Sequence, residues 1–458
     1  SKNNTAEKQD LSAKVLKAIV EIQPNKIEII NDEIKDLVIQ QTVEAVKTQQ
    51  ETEINVALED DLTDVVAEII VSTDNDTASK LIEEVSNIVT ETNLSLKVIA
   101  SMSEKDLNKF TELSETNKDQ VEKLTISAIQ NAENTSEDSQ LIANVVAVAS
   151  DELVNKVVEE VSKVSIDEKQ TLSAKVLQKI VETEPDKMEV INQEVRDVMI
   201  KQTVESAKNQ KEGTSVEEKE NFTDIVTEII VNSNNETASK VIDEINEIDT
   251  ETNLSLEVIS GISKKNSGKL NELSDNNKEQ MDELTIDAVQ KAENTSEDSQ
   301  LIANVVSVVN DDLVNKVVEE VSKTSINEKQ SLSAKVMESI VETDPNKIEN
   351  LSNENKEVLI TKTVEAAKNQ AEGNFDENID LSNTLAEIIT NSDAETAAKV
   401  LDTLDKSTNE NNSKLSLNVV SNLSKQDNYE EKIEIRSVSS TDFEQNFNKV
   451  ISKAIENV

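Results

Sequence analysis

The sequence predicts an all-α fold: a tandem-repeat helical array, an α-solenoid-like stack of helical hairpins. Three observations carry this. The only prolines, Pro24, Pro185 and Pro345, are almost evenly spaced, and similar text surrounds each: LSAKVLKAIVEIQPNKIEII, LSAKVLQKIVETEPDKMEVI and LSAKVMESIVETDPNKIENL. The stretch AENTSEDSQLIANVV at 132–146 returns unchanged at 292–306. Apolar residues follow helical spacing and not strand alternation. Leu62, Val65, Val66, Ile69 and Ile70 share one helical face, as do Leu153, Val157, Val158 and Val161. Alanine, leucine, glutamate, lysine and glutamine are plentiful, with four glycines and three prolines, which suits helices.

A shorter period lies inside the long one. The leucine of each LS motif falls at Leu11, Leu94, Leu172, Leu254, Leu332 and Leu415, in steps that alternate between slightly longer and slightly shorter. The 160-residue superperiod is therefore two related units of about 80 residues, an A type (LSAKV) alternating with a B type (LSLKV). This divides the chain into the end of a preceding unit or linker at 1–10, then unit A1 at 11–93 and B1 at 94–171. A2 follows at 172–253, B2 at 254–331, A3 at 332–414, and a partial or capping unit B3 at 415–458. The boundaries predict an excerpt from a longer array, or a degenerate last unit that caps it.

Past the middle of each unit a second apolar signature appears, as LTDVVAEII from Leu62 and LIANVVAVA from Leu141. Each unit thus reads as two helical hairpins joined by a longer polar segment. The breaks TDNDTASK (73–80), NSNNETASK (232–240) and NSDAETAAK (391–399) offer side-chain oxygens that cap the next helix. Each proline is expected in the first turn of a helix, where its missing N–H costs nothing. The stretch from Tyr429 to Thr441 reads as irregular, and KVISKAI at 449–455 echoes KLTISAI at 123–129. No heptad persists, which disfavours a long coiled coil.

Composition narrows the function. With 93 acidic and 46 basic residues the formal net charge is −47, and only Arg196 and Arg436 are arginines. No clustered lysine and arginine is found to release counterions, so no nucleic-acid partner is expected. No apolar run is long enough for membrane insertion. The acidity predicts a well-solvated, self-repelling surface with at most diffuse divalent-cation binding. No calcium loop is legible, and no cofactor is expected.

No histidine and no cysteine is present, which removes the commonest general base, thiol catalysis and most zinc sites. Gly213, Gly261, Gly268 and Gly373 form no phosphate-binding loop, and Gly213 and Gly373 read as flexible linker points. Carboxylate pairs such as Glu59-Asp60-Asp61 and Glu159-Glu160 read as solvated helix faces, not as an opposed acid and base. Ser12-Lys14 recurs in every A unit and is expected at a helix start. The aromatic residues are Phe110, Phe222, Phe375, Tyr429, Phe443 and Phe447, too few for a base-stacking or sugar-binding platform. Phe222 and Phe375 read as local core.

No catalytic, cofactor-binding or metal residue is thus predicted. The expected function is that of a non-catalytic structural protein: an elongated spacer, stalk or filament segment of a larger surface or extracellular repeat protein. Self-association or contact with neighbouring repeats is the expected partnership. The alternative function is an acidic α-solenoid scaffold for a basic protein partner, and the alternative location is the cytoplasm.

Overall fold

The computed structural model describes residues 11–12, 14–19, 21–22, 26–27, 29–52, 62–87, 94–132, 135–164, 170–213, 221–248, 253–293, 295–324, 330–344, 346–372, 380–407 and 413–455. Every regular element among them is a helix. The chain divides into two units, Ser1–Val241 and Ile242–Val458.

Helices come in pairs, and the B1, A2, B2 and A3 repeats each hold two pairs among the described residues. In the first unit, the leading helices of successive pairs are Leu62–Ser72, Leu94–Lys105, Ser136–Val148, Gln170–Thr183 and Phe222–Asn232, and each packs on the next. The trailing helices Asn75–Ser86, Lys118–Gln130, Asp151–Val164 and Gln193–Lys211 pack on one another in the same order. The core lies between these two layers. The second unit repeats the scheme. Its leading helices are Leu254–Lys265, Ser296–Val308, Gln330–Thr343, Leu381–Asn391 and Ser413–Leu423; its trailing ones are Lys278–Lys291, Asp311–Thr324, Asn353–Ala371, Ala394–Ser407 and Thr441–Ile455. This is a tandem α-solenoid-like stack of helical hairpins.

The apolar stripes explain the packing. Leu62, Val65, Val66, Ile69 and Ile70 are all buried, as are Leu153, Val157, Val158 and Val161. Each such side chain taken from water contributes about 1.5–3 kcal/mol. No single helix could bury its stripe alone; the neighbouring pair supplies the other half of every core.

Caps fall where the polar breaks predict. Asp74 Oδ1 accepts from the Thr77 N–H at 2.9 Å, Asn234 Oδ1 from Thr237 at 2.9 Å, and Asp393 Oδ1 from Thr396 at 2.6 Å. Burial alone would raise Asp74, but hydrogen bonds from the Thr77 N–H and hydroxyl, with Lys35 nearby, hold its carboxyl below the ordinary value.

The A and B units differ between the two helices of their first pair. In unit A2 the link is a turn and the one-turn helix Lys187–Val190. Pro185 occupies the second position of that turn, whose Lys187 N–H donates to the Glu184 carbonyl at 2.9 Å. The proline therefore precedes the helix rather than opening it, because its fixed φ suits the turn's second residue equally well. Pro24 and Pro345 lie outside the described residues. In B units a longer helix fills the link, Leu107–Thr116 or Ser267–Asn276, capped by Asp106 and Asn266 at 3.0 Å each.

The stretch that reads as irregular, 429–441, contains a third helix of this kind, Tyr429–Ser439. It buries no residue, which is why the apolar pattern fades there. Arg436 ties it down: its guanidinium donates to the Thr390 carbonyl at 2.8 Å and to the Ser392 carbonyl at 3.1 Å, closing the C-terminal end of Leu381–Asn391.

Candidate functional site

The residues singled out by sequence take structural positions. Ser173, within Gln170–Thr183, is buried and donates its hydroxyl to Gln202 Oε1 at 2.6 Å; Ser12 does the same to Gln41 at 2.6 Å. The recurring serine, which in Ser173 lies in the first turn of its helix, thus bridges the two helices of a pair. Its partner belongs to a different helix, beyond the reach of local pattern. Gly213 adopts φ +69° directly after Gln193–Lys211, and its N–H donates to the Gln210 carbonyl at 3.2 Å. It stops the helix in the left-handed conformation that glycine tolerates, rather than acting as a loose hinge.

Glu159 and Glu160 both pair with Lys163, at 2.7 Å and 3.7 Å, and Glu160 also accepts from Gln130 at 2.8 Å, so both serve neighbouring side chains. Glu59, Asp60, Asp61, Phe375 and Gly373 lie outside the described residues. Phe110, Phe222 and Phe443 are fully buried, and Phe443 stacks on Phe447 at 5.8 Å between ring centroids.

Three polar arrangements remain as candidate sites. The first is a cleft of about 630 Å³ between Lys118–Gln130 and Asp151–Val164, where Lys118 meets Glu152 at 2.5 Å and Lys156 meets Glu122. The same crossed pairs recur one superperiod later as Lys278–Asp312 at 2.9 Å and Lys316–Asp282. Hydrogen bonding within these pairs holds the Lys118 and Lys278 amines above, and the Glu152 and Asp312 carboxyls below, their ordinary values. Charges satisfied by each other fix one helix against the next and offer little to a ligand.

The second is an amide clamp. Asn155 Oδ1 accepts from the Asn192 N–H at 2.6 Å while its Nδ2 donates to the Val190 carbonyl at 3.0 Å. Asn315 repeats this on Ser352 at 2.6 Å and Asn350 at 3.3 Å. Beside it, Lys187 Nζ donates to the Ala149 carbonyl at 2.9 Å and Lys347 Nζ to the Val309 carbonyl at 2.8 Å.

The third is a carboxylate group around Glu338. Burial first, then Glu342, Glu387 and Asp380, push the Glu338 carboxyl up to about 7, against a lowering hydrogen bond from Thr384. Its counterpart in unit A2 is Gln178, whose Nε2 donates to Glu182 at 2.9 Å and to Glu228 at 2.8 Å. Among the described residues no group of carboxylates is arranged to hold a metal ion, and no helix is long and apolar enough to cross a membrane.

No protein-family model and no curated protein matches the chain. Among solved structures it is similar to human Puf-A, at 12% identity over 93% of this chain and 100% of that one, with a TM-score of 0.40. It is also similar to a circular tandem repeat protein with novel repeat topology and enhanced subunit contact surfaces, at 16% identity, 98% of each chain and a TM-score of 0.25. The structure of APUM23-GGAAUUGACGG matches at 9% identity, 97% of this chain and 99% of that one, with a TM-score of 0.27.

One of these structures is named with an oligonucleotide, and the expectation that nucleic acid is excluded as a partner is corrected on the expectation's own grounds. The expectation rested on net charge and on the lack of clustered lysine and arginine. Those features bear on phosphate contacts alone. Helical repeats can read bases through two or three side chains each, which net charge does not test.

Proposed function

We propose that the chain is a non-catalytic structural protein, an elongated helical-repeat spacer or stalk that works by extent, within a larger surface or extracellular repeat protein. One observation carries the reading. The polar groups best placed for chemistry are engaged in joining one helix pair to the next, in the same way at Asn155 and Asn315, at Lys187 and Lys347, and at Lys156 and Lys316. A part so built gains length with each unit and needs no new chemistry to do so. The absence of cysteine and the strong acidity support a surface location, since such a chain cannot mispair thiols and resists aggregation.

Small-angle scattering tests the central claim. Removing residues 172–331 deletes one superperiod and joins B1 to A3 as B2 is joined now. The maximum dimension should fall by about a third while helicity per residue stays constant. An unchanged maximum dimension would refute the spacer. Location is tested by labelling intact cells with an antibody to the repeat; signal only after permeabilisation rejects the surface assignment.

A further inference from the structure

The three A units carry a substitution series at one seam. The position of Glu338, on the helix Gln330–Thr343 that packs on Leu381–Asn391, belongs to Gln178 in the second copy and to Lys17 in the first. Its two glutamate neighbours do not vary. Glu342 corresponds to Glu182 and Glu21, and Glu387 to Glu228 and Glu68. The first two copies place a donor here. Lys17 Nζ lies 3.7 Å from Glu21. Gln178 Nε2 donates to Glu182 at 2.9 Å and to Glu228 at 2.8 Å, and so joins Gln170–Thr183 to Phe222–Asn232. An ionised Glu338 can only accept.

The rest of the seam sharpens the contrast. Leu381–Asn391 is capped by Asp380, where Phe222–Asn232 is capped by the neutral Asn221. Glu338 is half-buried, and the Thr384 hydroxyl reaches it across the seam at a long 3.4 Å. The charges that bear most on it are all negative: Glu342 on its own helix, then Glu387 and Asp380 opposite. No charged group of Asn353–Ala371 is among them, nor is Lys335, one turn earlier on the same helix. Ser296–Val308, also packed on this helix, carries only the acids Glu297 and Asp298. Lys316, Lys323 and Lys347, on the remaining neighbours Asp311–Thr324 and Asn346–Glu349, turn to Asp282, Glu319 and the Val309 carbonyl.

We propose that this seam is a proton-operated latch. With a proton on Glu338, its carboxyl O–H donates to Glu387 or Glu342 and closes Gln330–Thr343 on Leu381–Asn391, as the Gln178 amide closes the sister seam. When the proton passes to solvent, no donor of the Gln178 kind stands between Glu338 and its acidic neighbours, and the seam opens locally. Burial and the neighbouring acids raise the carboxyl to about 7, so the latch is closed in mild acid and released as pH rises through neutrality. The seam that carries Gln178 has no such group and stays closed over the same range. The device is thus more than a change in overall stability: it loosens one seam of the array and spares its twin.

Hydrogen exchange of the full chain, read as protection factors so that the intrinsic pH dependence cancels, tests this at about pH 5.5 and about pH 8.5. Protection across Leu381–Asn391 should fall about tenfold between the two, while that across Phe222–Asn232 stays level. Glu338→Gln should keep Leu381–Asn391 protected at both. The converse change, Gln178→Glu, should bring a fall to Phe222–Asn232, smaller because Asn221 is uncharged; each change places a side chain that the sister copy already accommodates. The proposal is overturned if protection over 381–391 is the same at both pH values, if Phe222–Asn232 loses as much in the parent, or if Glu338→Gln keeps the fall. A Gln178→Glu chain whose Phe222–Asn232 does not respond overturns it as well.

Discussion

Glu338 shows how one residue can work against its own fold. A carboxyl raised from its ordinary 4.5 to about 7 binds its proton more tightly folded than unfolded. Its contribution is therefore fully present below about pH 4.5 and is lost as pH rises through 7. Glu338→Gln should leave stability nearly unchanged at pH 4 and raise it by on the order of 1–2 kcal/mol at pH 8, after allowance for partial exposure. Gln178 already holds that neutral form in the sister copy. Chemical denaturation at the two pH values measures this, and a gain that is equal at both would show that the carboxylate is not strained. Such residues are hard to read from sequence, since Glu338 looks like any helix-surface glutamate. Its environment is set first by burial, then by Glu342 on its own helix and by Glu387 and the capping Asp380 of another. The capping residues Asp74, Asn234 and Asp393 were legible because their partners lie within the next turn; the bridging Ser173 was not, because Gln202 lies far along the chain.

At the scale of the element, the helix pair is the unit and the junction between pairs is where specificity sits. Asn155 satisfies an N–H and a carbonyl of the next pair's turn at once. Asn155→Ala leaves both without that partner and should cost about 1–3 kcal/mol, with exchange rising first around residues 187–193. Exchange that rises evenly over the whole chain would mean the clamp is not local. Helical spacing made the long helices legible, and the duplicated LTDVV and LIANVV signatures gave the hairpins. The short linking helices were harder. Tyr429–Ser439 has no buried face, so it carries no apolar period to detect, and its anchor is a single arginine reaching the carbonyls of a helix end remote in sequence.

For the whole molecule, charge and repetition dominate. Ninety-three acidic against 46 basic side chains repel one another at neutral pH. Raising sodium chloride from about 20 mM to 500 mM screens them and should raise the thermal midpoint; a midpoint that falls instead would show that the ion pairs outweigh the repulsion. The period was fully visible in the text, because duplication copies residues before it copies contacts. The division at Val241 and Ile242 was not, since no change of composition marks it. Repetition also has a cost in assembly. The helix pair that begins with 136–146 has its opening stretch reproduced letter for letter at 296–306, and the seats awaiting the two copies bury the same residue types. During synthesis or refolding either copy can settle into the other's slot, looping out the intervening chain or trading places with a neighbouring molecule. Such trapped species, equal to the native state in helix content, would anneal only by undoing a complete set of clamps.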